Sequence, residues 1–286
     1  MISVISIYLF IVIGFVAKKI FNEINEKSFV LISVYFLQPF LTLWGLTLKP
    51  INFDALLVPS FYLLIIFTSL IFTYLLAKTM DKKDRNIATI TALIGNTGNL
   101  GIPLSFALWG SDGAFWATIL NLTNMFFIYL FGIFFYAGKF NLENSKKIFK
   151  IPIIYVAFIA LLLNYLKIDL SPISQMLQMG AYSSMVIQLI IFGIYTANIK
   201  IKQIPIKLST IITFEKFILI PAIGYLILSF FNIDETIKKV IILEISVPIA
   251  VNNVNLAALF DNQPEIVAWL IILTSILFIP YFMIVL

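Results

Sequence analysis

ALIGNTGNLGIPL, from Ala92 to Leu104, lies inside an apolar segment that otherwise reads as a membrane helix. Three glycines (Gly95, Gly98, Gly101), two asparagines (Asn96, Asn99) and Pro103 fall within it. Glycine loosens a helix, and proline also removes a backbone donor. In lipid, freed backbone groups are tolerated only where protein buries them or where they line a cavity. The stretch therefore predicts a broken membrane helix whose opened backbone forms part of a binding site. A second, degenerate version follows about 150 residues later: EISVPIAVNNVN, from Glu244 to Asn255. Paired breaks in matching positions of two halves point to a transporter site.

The rest of the chain supplies the setting. Its 286 residues are 61% hydrophobic and 12% charged, with a mean hydropathy of +1.05. Soluble domains are nearer 45–50% apolar and about 25% charged, so the chain reads as an integral membrane protein. Runs of about 20 apolar residues span a bilayer. Ten are found, at 2–20, 28–48, 55–78, 86–109, 113–137, 150–167, 172–198, 208–231, 236–260 and 264–285. The expected fold is all-α. Ten transmembrane helices form two inverted five-helix repeats, 1–137 and 150–286, joined by a cytoplasmic loop at 138–149. Helices 4 and 9 are the broken, crossing pair. Five helices per half is an odd number, so the second half must enter the membrane from the opposite side.

Basic residues set the orientation. Fourteen of the 19 lie after helices 1, 3, 5 and 7, four on the opposite side (Lys49, Lys167, Lys238, Lys239), and Lys216 inside helix 8. The positive-inside rule then puts both termini outside the cytoplasm, in a plasma or inner membrane. The formal charge of +5 is thereby assigned mostly to orientation, with lipid as a partner and no nucleic acid. The N-terminus carries no basic n-region and no cleavage site, so it reads as an uncleaved first helix. With no Cys and no His, the chain offers no thiolate, no imidazole relay and no usual metal ligand. No nucleophile-and-base constellation points to an enzyme.

A weak internal repeat supports the two halves. FALWGSDGAFWATIL (Phe106 to Leu120) lines up with AALFDNQPEIVAWLI (Ala257 to Ile271) at an offset of 151, which brings Gly95 onto Ser246. Candidate substrate-binding residues are Asn96, Gly98, Asn99 and Pro103 in the first break and Pro248, Asn252 and Asn253 in the second. Lys216 would attract an anion. Glu215, Lys216 and Glu244 are ionisable residues within helices, hence costly there and candidates for function. Glu244 and Glu215 are the ion-coupling candidates, weighed against structural pairing or snorkelling. No metal site and no cofactor is read. A proton on Glu244, sodium held by Asn96, Glu244 and backbone carbonyls, and uniport all stay open. Trp44, Trp109, Trp116 and Trp269 read as interfacial belt residues.

GNTGNLGIPL (Gly95 to Leu104) resembles the signature of the auxin efflux carrier family. FEKFILIPAIG (Phe214 to Gly224), EISVPIAVNNVNLAALF (Glu244 to Phe260) and ILTS (Ile272 to Ser275) are similar to its other patterns. The resemblance implies a scaffold bundle of helices 1, 2, 6 and 7, and a transport bundle carrying helices 4 and 9. It also implies elevator-type motion, often as a homodimer. Plant members export indole-3-acetate; bacterial relatives are associated with malate and malonate. MGAYSSM (Met179 to Met185) lacks the proline expected of helix 7, and the long central loop of the plant carriers is missing. The expected function is a secondary-active transporter of a small organic anion, either a dicarboxylate or an auxin-like carboxylate. A gated ion channel is the alternative.

Overall fold

A computed structural model describes residues 2–137, 152–198 and 204–285. It is helical throughout, and among the described residues it contains no strand beyond one isolated bridge. Among the described residues six helices are long and apolar enough to cross a membrane: Ser28–Thr47, Phe53–Ala77, Thr97–Ala137, Ser171–Ala197, Ile206–Ser229 and Pro264–Ile284. A shorter apolar helix runs over Pro152–Tyr165. The connecting loop expected at 138–149 lies outside the described residues, as do Lys200 and Lys202.

The chain divides into two compact units. The first comprises Met1–Val58, Gly98–Leu122 and Lys146–Asn198, the second Pro59–Thr97, Thr123–Ser145 and Ile199–Leu286. Helices 1, 2, 6 and 7 of the sequence reading thus fall in the first unit. The division cuts helix 4 between Thr97 and Gly98, rather than leaving it whole.

The first unit is held by close backbone approach. Helices Ile2–Ile20 and Ser174–Asn198 meet through Gly14 and Gly193. A Cβ at Gly14 would stand 2.1 Å from the Ile190 carbonyl oxygen, and one at Gly193 would stand 2.0 Å from that of Ile11. The contact is reciprocal, and small residues at such crossings let packing replace the missing hydrophobic drive between helices in lipid. Gly14→Leu or Gly193→Leu is expected to lower the melting temperature by about 5 °C or more, from overpacking that costs about 1–3 kcal/mol. An exposed control such as Val12→Leu should leave it unchanged. Melting of the purified variants in one detergent checks this.

Asn164 closes the same unit. Its Oδ1 accepts from the Ile51 amide at 2.9 Å, and its Nδ2 donates to the Leu46 and Lys49 carbonyls at 3.0 and 2.6 Å. These are end-of-helix groups left over by the turn at Pro50, and one amide side chain satisfies three of them. Trp44 stacks edge-on against Phe106 and Tyr182. It is 7% exposed and Trp116 is 5% exposed. Both are packing residues in the interior, not the belt residues that their positions near helix ends suggested.

Among the described residues four five-residue π turns occur, at Ser33–Leu37, Thr97–Gly101, Ile128–Gly132 and Glu215–Leu219. The first, second and fourth end two residues before a proline, Pro39, Pro103 and Pro221, and the third has none there. A proline ring collides with the carbonyl four residues earlier and offers that carbonyl no N–H. Here those carbonyls belong to Tyr35, Asn99 and Phe217, at the centre of the three turns that precede a proline. Widening the turn moves the carbonyl aside and keeps the helix going. The prolines therefore do not break these helices, but they displace Asn99, Glu215 and Lys216 from regular helical positions.

In the second unit, Gly224 lies under the Ile245 and Ile242 side chains. Phe67 packs against Phe127 and Phe131. The Lys207 ammonium donates to the Thr79 carbonyl, and Gln263 donates to Asp84 at 2.8 Å.

Candidate transport site

The second unit contains both breaks. One follows the helix Lys82–Ile90 and its 3-10 turn Thr91–Leu93. The other follows Glu235–Ser246 and precedes Asn252–Leu259. Ile94 and Val247 leave the helical region for extended backbone, at φ −94°, ψ 91° and φ −54°, ψ 151°. The two extended pieces run antiparallel and form one bridge, Gly95 to Ile249. The Asn96 amide donates to the Pro248 carbonyl at 2.8 Å, and the Ala250 amide donates to the Ile94 carbonyl at 2.9 Å. Pro248 has no N–H to leave stranded, which suits it to a strand whose carbonyl alone is used.

The remaining backbone groups are claimed by side chains. Asn124 Nδ2 donates to the Gly95 carbonyl and to Thr97 Oγ1, both at 3.0 Å. The Ile249 amide donates to Thr274 Oγ1 at 3.3 Å. Asn253 Nδ2 donates to the Ile94 and Ala250 carbonyls at 3.1 and 3.0 Å. Its Oδ1 accepts from the Tyr136 hydroxyl at 2.9 Å, and that hydroxyl also meets Thr91 Oγ1 at 2.9 Å. Buried backbone needs partners, and these side chains supply them to the Ile94, Gly95 and Ala250 carbonyls and the Ile249 amide.

The local two-fold of the crossing pairs Ile94 with Pro248 and Asn96 with Ala250, an offset of 154 rather than 151. At the following turns the offset of 151 does hold, since Gly110 (φ 60°) corresponds to Asp261 (φ 50°). From Gly95 to Gly110 is 15 positions, and from Ile249 to Asp261 is 12. The three extra residues sit in the stretch that contains the π turn Thr97–Gly101. An ungapped alignment cannot register such a slip.

Each candidate residue can now be located. Asn96 is in the crossing, 3% exposed, and its Nδ2 has no hydrogen-bond partner among the described residues. Asn124 Oδ1 is likewise without one. Gly98, Asn99 and Pro103 belong to the first unit, where the Asn121 amide fills the side of Gly98 that a Cβ would occupy, its Oδ1 2.9 Å away. Pro248 contributes its carbonyl. Asn252 opens the second half-helix and is exposed, while Asn253 is fully buried.

Glu215, Lys216 and Glu244 are 0%, 1% and 0% exposed, so none snorkels to a surface of the chain. Lys216 Nζ donates to the Ala92 carbonyl at 3.1 Å. The Glu244 charge acts on the Lys216 ammonium and on the Tyr62 hydroxyl. Both oxygens of Glu215 lack a hydrogen-bond donor among the described residues. Adjacent residues on a helix point about 100° apart, and Lys216 turns accordingly toward the crossing without bonding Glu215.

Sequence reasoning missed Thr91, Thr97, Asn124 and Tyr136. Asn124 was the findable one, because an amide within a 26-residue apolar helix is a warning sign. Tyr136 carried no such sign, since tyrosine at a helix end is ordinary.

Against known proteins, the family model described as "Membrane transport protein" matches residues 1–145 and again 140–286. The chain is 24% identical over 288 residues to the "Uncharacterized transporter MJ1031" of Methanocaldococcus jannaschii, covering 95% of this chain and 93% of that protein. An all-helical membrane chain with a matched pair of breaks, and a family match running end to end, agree with each other. The chain belongs to the membrane transport protein family, that of the auxin efflux carriers, and is an integral membrane transporter.

Proposed function

We propose that the chain is a secondary-active carrier of a small organic anion, a dicarboxylate or an auxin-like carboxylate, bound at the crossing. The observation that carries this is Asn96 Nδ2, a buried donor that no described protein group accepts. A buried unpaired donor costs about 1–3 kcal/mol, a cost that a bound carboxylate relieves. The Asn252–Leu259 half-helix begins beside the same crossing, and helix N-termini favour negative charge. Lys216 adds positive potential. Asn252, Pro248 and Asn253 complete the site within the second unit. Gly98, Asn99 and Pro103, which follow in the chain, are kept as candidates on sequence grounds alone. Alternating access proceeds by elevator-type motion of a homodimer, as the family resemblance implies, with both termini extracytoplasmic by the positive-inside rule.

Uptake of labelled malate, malonate and indole-3-acetate into reconstituted liposomes tests the proposal. One anion is expected to enter saturably and to show counterflow. Asn96→Ala is expected to lower kcat/KM about 10-fold or more, the loss of one hydrogen bond to a charged group. Unchanged transport in both Asn99→Leu and Asn252→Leu would remove the site from the crossing. Currents far above carrier turnover, with no counterflow, would make the protein a gated channel.

A further inference from the structure

Lys216 lies in a π turn that precedes a proline. The π turn Glu215–Leu219, two residues before Pro221, holds Lys216 buried. Nζ arrives at the Ala92 carbonyl, 3.1 Å away. Ala92 lies in the 3-10 turn that ends the first half-helix. Its carbonyl belongs to the negative pole of that helix, where cations are favoured. The second half-helix ends nearby. A Cβ built at Gly95 would stand 3.2 Å from the Glu244 carbonyl oxygen and 3.2 Å from Lys216 Nζ, so both border the same glycine. Glu244, from the last turns of Glu235–Ser246, is buried as well, and its carboxylate interacts electrostatically with the same ammonium.

Opened carbonyls and half-helix C-termini are what coordinate alkali cations in carriers with broken helices. Here the Ala92 carbonyl accepts from a cation that the chain already owns, and the Glu244 carbonyl borders the same glycine. We propose that the Lys216 ammonium is a tethered cation occupying a monovalent-cation site formed by the Ala92 and Glu244 carbonyl ends and the Glu244 carboxylate. The wild-type carrier then needs no bound sodium at this place, and removing the ammonium opens the site to sodium. This deepens the carrier reading of the same crossing, and of the couplings left open by the sequence it removes sodium held by Glu244.

The test uses purified full-length protein and needs no transport, so a failed substrate panel would bear on the carrier reading alone. Melting is compared in sodium chloride and choline chloride at equal ionic strength. The wild type is expected to melt alike in both. Lys216→Ala, and Lys216→Gln, which keeps a donor for the Ala92 carbonyl, are expected to melt lower than wild type in choline. Sodium should raise both by roughly 2–4 °C, the shift expected when the cation is present at about 10 times its Kd. Recovery of a variant only from sodium-containing buffer counts as the same result. The double variant Lys216→Gln/Glu244→Gln lacks the carboxylate and is expected to show no sodium effect. The proposal is overturned if sodium selectively stabilises the wild type, if it fails to stabilise a folded Lys216 variant, or if the double variant responds as strongly as the single one.

Discussion

Asn253→Leu is expected to destabilise the protein by about 2–4 kcal/mol and to abolish transport. The substitution is nearly isosteric, so the loss is one of hydrogen bonds. Three partners are released: the Tyr136 hydroxyl and the Ile94 and Ala250 carbonyls. They do not suffer equally. The hydroxyl keeps Thr91, and the Ile94 carbonyl keeps the Ala250 amide. The Ala250 carbonyl keeps the Asn253 amide, a contact across a single turn that the loosened segment would have to maintain alone. A single side-chain hydrogen bond between membrane helices is worth about 0.6 kcal/mol on average. The expected effect is larger because the bonds of Asn253 run to both breaks at once. Tyr136→Phe is the comparison: it removes one hydroxyl and leaves the two carbonyl bonds of Asn253, so about 1 kcal/mol is expected. Thermal melting of the two variants in the same detergent checks the ranking. Equal, small shifts would mean that the backbone bridge holds the crossing without Asn253.

The prediction also marks where the sequence could be read and where it could not. The breaks were legible because glycine, proline and asparagine are anomalous in an apolar run, and at Ile94 and Val247 the helices do open. The membrane class and the helical fold followed from composition and run length. Asn253 was legible as polar, but its orientation was not. It follows Asn252 by one position, yet one is buried and bonded to both breaks and the other is exposed. A helix turns 100° per residue, and no local pattern says which of two adjacent amides faces in. The π turns were illegible for a related reason. Proline was read as a possible breaker, whereas the chain absorbs it by widening the preceding turn, a choice made by packing. The two halves also differ by three residues between crossing and turn, so the offset of 151 read from the helical hairpins misaligns the crossing itself. Trp44 shows the same limit: its place near a helix end suggested an interface, and Phe106 and Tyr182 made it interior.

Glu244→Gln is expected to cost about 3–5 kcal/mol, the penalty for leaving a buried charge without its partner. The Lys216 ammonium would keep the backbone carbonyls, with its bond to Ala92, and lose the carboxylate whose charge counters its burial. Lys216→Met should cost a similar amount when measured in choline, from the stranded carboxylate. The double variant Glu244→Gln/Lys216→Met removes both charges at nearly constant volume and is expected to fall within about 1–2 kcal/mol of wild type, since a neutral replacement of a buried pair is often close to neutral. The cycle then gives a coupling of several kcal/mol. Glu215 provides the control within the same helix. It neighbours Lys216 in sequence and is equally buried, but neither of its oxygens accepts a hydrogen bond among the described residues. Glu215→Gln combined with Lys216→Met should therefore be additive to within about 0.5 kcal/mol. Additivity for Glu244, or strong coupling for Glu215, would transfer the counter-charge from one carboxylate to the other and move the cation site with it. A double variant that folds as well as the wild type but no longer carries substrate would show that the pair is kept for the transport cycle, because stability alone does not require two charges in lipid.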